Sequence, residues 1–118
     1  MNLTAAWIGF AFGSCAGAGL GLFFHRQDWL GGYGSWRRRM LRLGHISFFG
    51  IGLLNVAYAA TAPAGTVWAS RLLVAGAVGM PLACTLAAID ARWRHVFPLP
   101  AVCVIAATVM VAWRLILP

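Results

Sequence analysis

The sequence predicts an all-α integral membrane protein, four transmembrane helices in an up-down bundle with both termini on the non-cytoplasmic side. Three observations carry that reading: four apolar runs of about bilayer length, arginines gathered on one side of them, and six tryptophans set at their ends.

Composition comes first. Of 118 residues, 62% are hydrophobic and 9% charged, where a soluble domain carries roughly a quarter charged residues. Water is therefore not the main solvent, and the length suffices for one transmembrane domain, 1–118. The spans are expected at about 3–24, 38–60, 67–89 and 97–117, each close to the ~20 residues that a spanning helix requires. Residues 1–24 lack the basic start of a cleavable leader, and their apolar stretch is long for one, so they are expected to remain as the first helix.

The connections follow from breakers and caps. In the first, Gly31, Gly32 and Gly34 interrupt helix and Ser35 can cap the next one. The second, TAPAGT at 61–66, is a short Pro and Gly turn. The third, DARWRHVFPLP at 90–100, leads into a helix whose first turn tolerates Pro98, because that turn has no internal donor to lose. None of the three connections is long enough to be a domain.

Orientation rests on charge. The net charge of +7 comes from nine arginines against Asp28 and Asp90, with no lysine and no glutamate. Arg26, Arg37, Arg38, Arg39, Arg42, Arg92 and Arg94 fall on one side, and Arg71 and Arg114 near the other. The first side is expected to be cytoplasmic by the positive-inside rule, with a bacterial inner membrane as the location. Trp29, Trp36 and Trp93 then sit at the inner boundary and Trp7, Trp68 and Trp113 at the outer one, where amphipathic indoles collect. Arginines that flank apolar spans orient a protein and attract anionic headgroups, so nucleic acid is not an expected partner. Arg71 and Arg114 are expected to snorkel to outer headgroups.

The chemistry-bearing residues are few. Cys15, Cys84 and Cys103 lie inside apolar runs and form no C-x-x-C pair, so they read as packing residues rather than a disulfide or zinc framework. In the first span Gly9, Gly13, Gly17 and Gly21 recur every four residues and lead to His25, which describes a smooth groove for close helix packing. The third span repeats this more loosely through Gly76, Gly79, Ala83, Ala87 and Asp90, with another helix of the bundle as the expected partner. In the second span His45, Phe48, Gly52 and Asn55 share a face, continued by Arg38 and Arg42.

An imidazole within a span is costly and normally faces protein or water, which makes His45 the most informative single residue. His25, His45, Asp90 and His95 all fall at the arginine side. Such a layer could hold haem b or a metal ion, with His45 and either His25 or His95 as ligands, room for a macrocycle at Gly50 and Gly52, and Arg38, Arg39 or Arg42 on its propionates.

The residues accommodate three functions. With no nucleophile beside a base, no phosphate loop and no charge near the midplane, the leading expectation is a non-catalytic accessory or assembly subunit of a larger membrane complex, or a self-associating one. A histidine-liganded redox or metal-binding protein is the second. An oligomeric channel or transporter subunit is the third.

Overall fold

The computed structural model describes residues 1–61 and 63–117. Ala62, inside the expected second turn, and Pro118, the expected non-cytoplasmic end, lie outside the described residues. Four long helices follow one another as α1 (Asn2–Leu22), α2 (Trp36–Thr61), α3 (Val67–Ile89) and α4 (Pro98–Ile116), with short 3-10 turns at Trp29–Gly31 and Ala91–Val96. Each boundary falls within two residues of its expected place. All four helices are long and apolar enough to cross a membrane, and their up-down order makes the chain a small polytopic membrane protein.

The helices stop where the residues make them stop. Ser35 accepts the backbone N–H of Arg38 at 3.2 Å and so caps α2. Leu30, Gly31 and Gly32 take φ of 55°, 86° and 91°, and the two glycines meet that left-handed geometry without cost. Asp90 accepts the N–H of Arg92 at 2.9 Å, which starts the 3-10 turn and ends α3. Pro98 stands in the first turn of α4. Pro81, by contrast, is buried in the middle of α3. Having no N–H, it leaves the carbonyl of Ala77 without its helical donor, a loss that membrane helices tolerate.

Packing centres on α3. Its most apolar window is 39% buried, against 11% for those of α1 and of the α4 segment, so α3 is the inner helix and these two are peripheral. The antiparallel pairs α1–α2, α2–α3 and α3–α4 form the main seams, and α1 and α3, which run parallel, touch more lightly. Ala69, Leu73 and Ala107 make the tightest apolar cluster, with Leu54, Tyr58 and Met110 around it.

Several glycines lie directly under side chains of a neighbouring helix. A Cβ at Gly13 would lie 2.8 Å from Phe49 Cε2 and 2.9 Å from Phe48 Cβ, and one at Gly52 would lie 2.5 Å from Phe10 Cε1. Gly44 receives Cys84, Gly79 receives Pro100, and Gly76 is overlaid by Val104. The α3 row thus meets α4 through Gly76 and Gly79. Gly21 has nothing within 4 Å. Four residues advance a helix by about 40° beyond a full turn, so three such steps from Gly9 rotate Gly21 out of the seam.

Candidate functional site

Two polar assemblies and one groove hold most of the chemistry of this apolar bundle. The first assembly lies at the end opposite the arginines. Asn55, fully buried, donates Nδ2 to the carbonyls of Ile51 at 2.9 Å and Leu73 at 3.3 Å. Its Oδ1 accepts Asn2 Nδ2 at 2.8 Å, and Asn2 Oδ1 accepts the Ser70 hydroxyl at 2.5 Å. Three helices are joined by one satisfied network. In hydrocarbon an unpaired amide is expensive, so this network fixes both register and depth. Beyond it Tyr58 Oη donates to the carbonyl of Thr66 at 2.9 Å and ties down the turn between α2 and α3.

The sequence marked Asn55 but not its partners. Asn2 and Ser70 were legible only as polar residues at the same depth as Asn55, near the starts of two parallel spans.

The second assembly is the loop at the arginine end. Arg38 is 4% exposed. Its guanidinium lies 5.7 Å from the Phe24 ring and 5.5 Å from those of Trp29 and Tyr33, while Nη1 donates to the carbonyls of Arg26 at 3.5 Å and Gln27 at 3.4 Å. Phe23 stacks on Trp29 at 5.1 Å. Arg42 sits 4.2 Å from the Tyr33 ring and donates to the Tyr33 carbonyl at 3.2 Å. Cation–π attraction and backbone carbonyls thus replace a carboxylate, and the loop folds over the start of α2. Trp36 Nε1 closes the assembly by donating to the carbonyl of Ala87 at 2.7 Å. Arg38 and Arg42 are therefore engaged with the loop itself, whereas Arg39 is exposed.

The histidines occupy different surroundings. His45 is half-buried against α1: a Cβ at Gly17 would lie 2.5 Å from its Cε1, and Phe49 meets the ring edge-on at 5.4 Å. Its Nδ1 is buried and has no hydrogen-bond partner. His25 lies past the end of α1 in the loop, and His95 lies in the 3-10 turn before α4; both are exposed, as is Asp90, whose carboxylate caps that turn. Among the described residues, no three His, Cys, Asp or Glu side chains gather as a metal-holding group. Lying at one membrane side did not place them together laterally. Gly50 faces open space, whereas Gly52 is covered by Phe10. Gly9, Gly13 and Gly17 are occupied by Phe48, Phe49 and His45 of α2.

At the far end Arg71 lies over Trp68 at 5.0 Å and Arg114 lies beside Gly65, so the two engage separate elements. Cys84 is buried, Cys103 half-buried and Cys15 exposed, and all three are free thiols.

A groove of about 750 Å³ runs between α1 and α3, with Ile8 and Phe12 on one wall, Val78 and Leu82 on the other, and Phe48 of α2 as its floor. Comparison with protein-family models, with curated proteins and with solved structures finds no match to this chain.

Proposed function

We propose that this chain is a non-catalytic accessory or assembly subunit that docks through α1 onto a transmembrane helix of a larger membrane protein. One observation carries the reading: α1 turns two small-residue faces in opposite directions. Gly9, Gly13 and Gly17 face α2, whereas Ala11, Ser14, Cys15 and Ala18, at intervals of three and four residues, are exposed on the far side.

By contrast, α4 turns bulk outward. The exposed face of α4 presents Leu99, Val102, Ile105 and Val109. Small residues suit close approach of another backbone, because helices in lipid associate by packing and hydrogen bonding rather than by hydrophobic drive. The glycine face gives α1 its seat on α2 in the same way. Ser14 also makes no side-chain hydrogen bond among the described residues, so its hydroxyl is free for a partner helix. Sidedness follows from charge in this reading: arginine-rich loops cytoplasmic, both ends of the chain outside, in a bacterial inner membrane.

Native electrophoresis of gently solubilised membranes tests it. The wild-type chain is expected to migrate with a larger species, and Ser14→Leu with Ala18→Leu is expected to release most of it to its own size without changing its thermal unfolding. Co-migration that survives the double substitution contradicts the docking face.

A second reading rests on the unpartnered Nδ1 of His45, which makes that imidazole the best placed candidate ligand for haem or a metal ion. The subunit reading expects detergent-purified protein without a Soret band or stoichiometric metal, and His45→Phe as stable as wild type to within about 1 kcal/mol. A Soret band that shifts on reduction and vanishes in His45→Phe establishes the second reading instead.

A further inference from the structure

The flank of α1 that faces α3 is separate from the proposed docking stripe. The groove there is mostly apolar, with Met1 in its lining at one end, near which Asn2 holds α1 against Ser70. Toward the arginine end it meets a second hollow of about 280 Å³, lined by Leu30, Arg37, Leu41, Thr85, Ala88 and Ile89. Thr85 borders both, so the two hollows adjoin along one face of α3.

From Val74 to Ile89 the α3 wall rises about 22 Å, roughly three quarters of a ~30 Å hydrocarbon core, so an acyl chain entering at the arginine end has wall beside it to the midplane and beyond. Arg37 stands at the headgroup end of that path. Its neighbours Arg38 and Arg42 are occupied by rings and backbone carbonyls. Arg37 is exposed and makes no contact of either kind among the described residues. The surrounding charge is one-sided, with seven arginines at this end against Asp28 and Asp90.

We propose that this groove binds one anionic phospholipid, with an acyl chain lying between α1 and α3 and the phosphate on the Arg37 guanidinium. The shape selects a lipid tail over a protein helix. A helix with its side chains is about 10–12 Å across, wider than a groove of about 750 Å³ drawn out along the roughly 16 Å from Val74 to Thr85. Charge selects an anionic headgroup, since a guanidinium binds phosphate through paired N–H donors.

Native mass spectrometry of the full chain in mild detergent, titrated with phosphatidylglycerol and in parallel with phosphatidylcholine, tests the site. The expected result is one retained phosphatidylglycerol per chain in preference to phosphatidylcholine. Arg37→Gln is expected to reduce it about five-fold, the effect of one arginine on an anionic lipid, and Arg39→Gln, with the same loss of charge on another face of α2, less than two-fold. Val78→Trp fills the groove at an exposed position without altering charge and is expected to reduce retention comparably. Circular dichroism establishes that each variant is folded. Equal losses in Arg37→Gln and Arg39→Gln, undiminished binding in Val78→Trp, or a second copy or another protein retained in place of the lipid overturns the proposal. None of these readouts depends on the Ala11–Ala18 stripe, so failure here leaves the subunit reading standing.

Discussion

Gly13→Leu is expected to destabilise the bundle by about 2–3 kcal/mol, the upper part of the range for overpacking a tight interior. The added Cβ would lie 2.8 Å from Phe49 Cε2 and 2.9 Å from Phe48 Cβ, and the latter belongs to the stem of its side chain and cannot swing aside. Relief requires α1 to move off α2, which weakens the neighbouring contacts of Gly17 with His45 and Gly52 with Phe10. Gly21→Leu is the control. It lies on the same helix and in the same four-residue series, yet nothing stands within 4 Å of its Cβ direction, so its effect is expected within about 0.5 kcal/mol. Unfolding followed by circular dichroism in a mixed-detergent titration measures both. Similar losses at Gly13 and Gly21 contradict the α1–α2 seam.

The second large effect belongs to the polar network. Asn55→Ala removes three hydrogen bonds and leaves Asn2 held by Ser70 alone, at an expected cost of about 2 kcal/mol. Asn2→Ala alone should cost about 1 kcal/mol, because Asn55 keeps its two carbonyl partners. Since the two amides bond each other, the double substitution should cost less than the sum by about 0.5–1.5 kcal/mol, the range seen for hydrogen bonds between membrane helices. Strict additivity in the double-mutant cycle means that the amides do not meet.

The parts of this fold legible in the sequence are those that the bilayer imposes. Four apolar runs, matched in length to the hydrocarbon core and ended by Gly, Pro and Ser, placed every helix boundary within two residues. Lateral position was not legible, because hydropathy reports depth rather than direction. His25, His45 and His95 share a side of the membrane, yet one lies in a loop, one against α1 and one in the turn before α4. The groove series showed the same limit. Counting in fours found Gly9, Gly13 and Gly17, whose partners the structure supplies, but included Gly21 because the count ignores the drift of a 3.6-residue helix. Asn55 was visible on the His45 face of its span, and its partners became visible only once α1 and α3 were known to start side by side. The outward stripe of Ala11, Ser14, Cys15 and Ala18 carried no signal until α2 was seen to occupy the opposite face.

Docking through α1 depends on that stripe. A photo-crosslinking side chain at Ala18, compared with one at Val102 on the exterior of α4, irradiated in native membranes and resolved by denaturing electrophoresis, tests it directly. A discrete adduct with another integral membrane protein is expected from Ala18, and only lipid adducts from Val102. Lipid adducts alone from Ala18, or the same protein adduct from both positions, would contradict docking through α1.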